Sequence, residues 1–117
     1  TDPQMRLLLS RIQDAQGQTQ AAMETLQGLT QSFPELPEPH NNLAVLLSRE
    51  NRHAEALASL QAAVQARPDY AMALENMGDV YAALASQAYG KALQITPNMR
   101  HIQNKRAGID QMLKSAP

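Results

Sequence analysis

The amino-acid sequence predicts an all-α protein built from antiparallel helix pairs stacked in series, and three observations carry that prediction. Markers repeat along the chain: Leu9, Ala22 and Pro34 recur 34 positions later as Leu43, Ala56 and Pro68, and a shortened third copy runs through Met77, Ala85 and Pro97. Apolar residues return at intervals of three and four, the spacing that gives a helix one oily face. The composition favours helices, being rich in Ala, Leu, Gln and Met and poor in β-branched residues. With 44% hydrophobic residues but only three Tyr, one Phe and no Trp, the core is made of Ala, Leu and Met.

The elements follow from apolar spacing and from helix breakers. Asp2 is placed to cap a first helix with Pro3 in its first turn, where a missing N–H does no harm. Met5, Leu8, Leu9 and Ile12 form its expected inward stripe, and Gly17 ends it. The partner helix, about residues 19–33, turns Ala22, Met23, Leu26 and Leu29 inward and stops before Pro34, whose ring disfavours helix in the preceding residue. Pro34, Pro37 and Pro39 make a rigid link to a third helix of about residues 39–50, which buries Leu43, Leu46 and Leu47. After Asn51 and Arg52, a fourth helix of about residues 53–66 carries Ala56, Leu57, Leu60, Ala63 and Val64 inward until Pro68 closes the unit.

The third copy departs from the period. Leu9, Leu43 and Met77 are spaced 34 and 34, whereas Ala22, Ala56 and Ala85 are spaced 34 and 29. The five missing residues fall between Tyr81 and Ala85, where the earlier units hold Gly17-Gln18 and Asn51-Arg52, and no turn former remains there. Leu74, Met77, Tyr81, Leu84, Ala88, Ala92 and Ile95 keep helical phase across the junction, which predicts one fused helix over about residues 71–95. Gly90 opposes it by only about 1 kcal/mol. A continuous helix cannot fold back on itself, so Tyr81, Leu84, Tyr89 and Leu93 become a self-association surface that a second copy covers by exchanging segments. The alternatives are a tight bend near Ala85 or Ser86, or cover by the C-terminal helix. Residues 97–113 read as that last helix, with Met99, Ile102, Ile109 and Leu113 on one face and Arg100, His101, Lys105, Arg106 and Lys114 on the other.

The third copy also carries the fullest marker set, Leu74, Met77, Gly78 and Tyr81 and then Ala85, Tyr89 and Pro97. With the 34-residue period, these residues resemble the tetratricopeptide repeat, a helix-turn-helix unit closed by Pro. The resemblance covers roughly residues 3–98 and implies one right-handed superhelical solenoid over residues 1–117. Its units are about 3–36, 37–70 and 71–98, capped by a helix of about 99–114. It makes Ala22, Ala44, Ala56, Gly78 and Ala85 the points where antiparallel helices approach closely.

The family grips segments of other proteins on a concave face lined by the first helix of each unit. The resemblance therefore implies a non-enzymatic scaffold whose groove uses Arg11, Asn41, Asn42, Val45, Arg49, Glu75, Asn76 and Asp79, with Gln4, Leu7 and Asp14 beside them. Related domains often hold ligand backbone with Asn at the places of Asn42 and Asn76. The basic pair with which chaperone-binding relatives clamp a terminal carboxylate is missing, because Leu7, Met72 and Asn76 stand in those places. The alternative function is self-assembly into a homodimer through the third unit.

Other classes find little support. The histidines His40, His53 and His101 are scattered, Glu75 and Asp79 have neither nucleophile nor metal-ligand spacing beside them, and no phosphate loop or zinc motif occurs. No catalysis, cofactor or metal is expected. A net charge of −1 gives no general attraction to nucleic acid, although residues 91–117 hold five of the ten basic side chains against the single acid Asp110. No stretch reaches the roughly 18 apolar residues of a membrane span. The absence of cysteine leaves the compartment open. The chain opens Thr1-Asp2-Pro3 without Met, as a processed or truncated piece would. A soluble protein is expected, in the cytoplasm or, if an export signal was removed, in a bacterial periplasm.

Overall fold

The computed structural model describes residues 2–114. Its six helices are α1 Pro3–Ala15, α2 Thr19–Ser32, α3 Pro37–Arg49, α4 His53–Ala66, α5 Ala71–Ile95 and α6 Arg100–Lys114, with no strand among the described residues. They form two compact units that divide between Met77 and Gly78, inside α5.

In the first unit α1 and α2 form one hairpin, α3 and α4 form a second, and α2 packs on α3. Local chemistry sets the ends. The Asp2 carboxylate accepts from the Gln4 N–H at 2.9 Å and caps α1. Gly17 at φ +77° and Asn51 at φ 60° reverse the chain within each hairpin. Glycine has no Cβ to clash in that left-handed conformation, and Asn is among the few other residues that visit it routinely. Helix α3 starts two residues before the expected Pro39. Pro37 and Pro39 both lie buried in its first turn, where a backbone N–H would have no intrahelical acceptor. His40 Nε2 stands 3.0 Å from the Pro34 carbonyl oxygen and ties the helix to the preceding link.

The expected inward residues of α2 and α3 are buried, as are Ala56, Leu60 and Ala63 of α4, while Leu57 and Val64 are half-buried. Ala22, Ala44 and Ala56 are nearly inaccessible, as close helix approach requires. Helix α1 differs from the expectation. Its buried residues are Leu7 and Ser10, whereas Met5, Leu8, Leu9 and Ile12 are 45–63% exposed. Leu43 is buried in α3, which has α2 on one side and α4 on the other. The equivalent Leu9 sits in a helix whose main packing partner among the described residues is α2, and its side chain is uncovered.

Helix α5 runs unbroken from Ala71 to Ile95, as the missing turn requires. Gly78 consequently is not a helix contact point. It is exposed, with nothing within 4 Å of where a Cβ would stand, because no second strand of a hairpin returns over it. Ala85 is only half-buried for the same reason. In the second unit the later part of α5 meets α6. The Ser86 hydroxyl donates to Asp110 at 2.7 Å, and the Arg106 guanidinium lies against Gly90. Ile102, Ile109 and Leu113 of α6 are half-buried, Met99 is exposed, and no residue of α6 is fully buried.

Candidate functional site

Helices α1 and α3 flank a cleft of about 200 Å³ in the first unit. Leu26 of α2 and Leu46 of α3 are almost wholly buried and form its apolar base, and Val45 adds a partly exposed apolar wall. Arg11, Asp14, Asn42 and Arg49 supply the polar rim. Ser10 also lines it, but its hydroxyl donates to the Leu7 carbonyl at 2.6 Å within its own helix. Four of the eight expected groove residues, Arg11, Asn42, Val45 and Arg49, therefore come together.

The rim is unevenly charged. Arg49 donates through Nη1 and Nη2 to the two Asp14 oxygens at 3.1 and 2.8 Å, a bidentate pair joining α1 to α3. The hydrogen bond from Arg49 holds the Asp14 carboxyl below the ordinary carboxylate range, with desolvation opposing and the charge of Arg49 assisting. The same hydrogen bond raises Arg49. Arg11, exposed on the same rim, has no ion pair among the described residues.

The other expected residues are placed differently. Asn41 is buried and its side-chain oxygen accepts from Asn76 Nδ2 at 3.0 Å, so the two amides tie α3 to α5 inside the fold. Glu75 and Asp79 are exposed one turn apart on α5 and do not line the cleft. Leu7 is in the core, not on the groove. Leu26 and Leu46 were recognisable as core residues but not as the base of a cleft. The Asp14–Arg49 pair did have a signal in the sequence: opposite charges 35 positions apart, one more than the repeat.

Of the residues expected to mediate self-association, Tyr81 is half exposed, while Leu84, Tyr89 and Leu93 are partly buried. No group of His, Asp and Glu among the described residues could hold a metal ion. No helix of the described residues is long and apolar enough to cross a membrane.

Two family models described as tetratricopeptide repeat match the chain, one over residues 4–35 and the other over 37–70. Among solved structures the chain is similar to the first TPR of Spaghetti (RPAP3), which was solved bound to the HSP90 peptide SRMEEVD. The likeness has a TM-score of 0.64 at 24% identity and covers 98% of this chain and 100% of that one, and it is a likeness of fold. No curated protein matches the chain.

Proposed function

Because the chain belongs to the tetratricopeptide repeat family, we propose that it is a protein-interaction scaffold, without catalysis of its own, that grips a partner segment on the α1/α3 face. The observation that carries this reading is the cleft itself: an apolar base of Leu26 and Leu46, an exposed Val45, and an unpaired Arg11 on the rim. Apolar surface beside a few convergent polar groups is how protein surfaces hold small, specific ligands. At about 200 Å³ the cleft is of the order of the 150 Å³ cavity that takes one benzene, so it accepts a single apolar side chain of the partner.

The first TPR of Spaghetti holds an HSP90 peptide. A clamp for a terminal carboxylate is not the reading favoured for this chain, because Leu7 is core, Met72 is apolar, and Asn76 is engaged with Asn41. An internal segment that offers one apolar side chain and a carboxylate for Arg11 suits the cleft better.

A photo-crosslinking side chain placed at Val45, with a control on the exposed Ala58 of α4, tests the surface. Capture of a specific partner from Val45 but not from Ala58 is expected. Arg11→Glu should weaken that partner by roughly two- to five-fold, the range for a partly exposed charge pair. Equal capture from both positions, or an unchanged affinity, would show that the cleft is the wrong surface.

A second reading, homodimerisation through the third unit, draws on the unbroken α5 and on the half-exposed Tyr81.

A further inference from the structure

We propose that the second unit carries its own docking groove for an acidic segment of another protein, held by Lys91 and Arg106. A concavity of about 440 Å³ opens there between Gln87, Gly90, Lys91, Leu93 and Gln94 of α5 and Arg106 of α6. Gly90 lets Arg106 reach this place. A Cβ at residue 90 would stand 3.0 Å from Cζ, Nη1 and Nη2 of Arg106 alike, so the guanidinium lies flat over bare backbone. Glycine is unfavourable inside a helix relative to Ala, and at this position it leaves room for a cation on the groove wall.

The cations are available. Arg106 Nε donates to Ser86 Oγ at 3.4 Å and faces an Asp110 oxygen at 4.0 Å, a loose pair with both side chains nearly half exposed. Its Nη1 and Nη2 have no acceptor among the described residues, and Lys91 has no ion pair there. Residues 78–117 hold five basic and two acidic side chains, so the local field is positive although the whole chain carries −1.

The lining also indicates the class of ligand. Arg106 offers a planar fork that matches a carboxylate, and Lys91 adds a point charge. Gln87 and Gln94 are two helical turns apart on one side of α5, and each amide both donates and accepts, as a peptide backbone requires. Leu93 adds an apolar side chain to the same lining. No aromatic ring lines the groove, so the stacking platform that single-stranded nucleic acid uses is missing. An extended segment rich in Glu or Asp is the occupant that fits.

The test titrates the full, isotopically labelled chain with a hexaglutamate peptide at low salt, followed by amide chemical shifts. Oligothymidine is the second probe. Shifts are expected across Gln87 to Gln94 and at Arg106. Lys91→Ala and Arg106→Gln should each weaken the peptide about two- to five-fold. Added salt should weaken it further. Gly90→Ala, whose methyl displaces the guanidinium, should weaken it as well. Should Arg106→Gln loosen α6, Lys91→Ala carries the test, because that side chain is exposed and makes no side-chain hydrogen bond or ion pair among the described residues. The proposal is overturned by shifts confined to the α1/α3 cleft, by no shifts, by an affinity indifferent to Lys91, or by tighter binding of oligothymidine than of peptide at equal salt.

Discussion

Position along the repeat does not by itself fix what a side chain contributes. Leu9 and Leu43 hold the same signature place, yet Leu43 is 6% exposed and Leu9 is 46% exposed. Leu43→Ala should cost about 2 to 5 kcal/mol, as large-to-small changes in a core do. Leu9→Ala should cost about 1 kcal/mol or less, nearer the value for surface sites. Equal losses in denaturant unfolding would mean that Leu9 is covered in solution. The Asp14–Arg49 bridge makes a second residue-level prediction, about pH. Asp14 has a depressed pKa in the folded chain, so its stabilisation is complete above the ordinary carboxylate value of about 4 and is lost as pH falls through the folded value. Because Asp14 is 29% and Arg49 55% exposed, the pair is worth only about 0.2 to 1 kcal/mol. Asp14→Asn should lower stability by that amount at neutral pH and by progressively less below pH ~4. A difference from wild type that persists undiminished in acid would refute this assignment.

At the scale of the element, α5 shows how a deletion changes the meaning of neighbouring residues. In a closed hairpin a small residue at Gly78 would let the second helix approach. Here the deletion removes the turn, the helix continues, and Gly78 is left facing open space. Gly78→Ala should therefore stabilise the chain by about 1 kcal/mol, the difference in helix propensity, with no clash to offset it. A destabilised Gly78→Ala would mean that something packs on that position in solution. Gly17 makes the opposite case, because its φ of +77° is a conformation that a Cβ makes costly. The same residue type is thus replaceable in one helix and needed in one turn.

At the scale of the molecule, the proposals concern where partners dock and whether a second copy is among them. The scaffold reading expects a monomer by sedimentation velocity across a wide concentration range. The exchange reading expects a dimer, and a dimer converted to monomer by inserting Gly-Asp-Arg-Glu-Glu after Leu84, which would restore the third turn. The partial burial of Leu84, Tyr89 and Leu93, with α6 reaching α5 through Ser86 and Gly90, leaves Tyr81 as the main exposed part of that surface.

The sequence by itself determined the helices, because their limits are local chemistry. Asp2 caps, Gly17 and Asn51 turn, Pro34 and Pro68 stop, and the lost five residues leave nothing to break α5. The interiors of α2 and α3 were legible for the same reason, since one apolar stripe has one place to go in a stacked hairpin. Only the tertiary structure decided which face of α1 is covered, because Met5, Leu8, Leu9 and Ile12 have the right spacing whether or not a helix stands in front of them. It also decided which of the expected residues line the α1/α3 cleft. Arg49, expected on the groove, is held by Asp14 of the preceding repeat, and Asn41 and Asn76, both expected there too, are engaged with each other. Periodicity reports which face a residue occupies, whereas partnership depends on distances between helices that no spacing along the chain encodes.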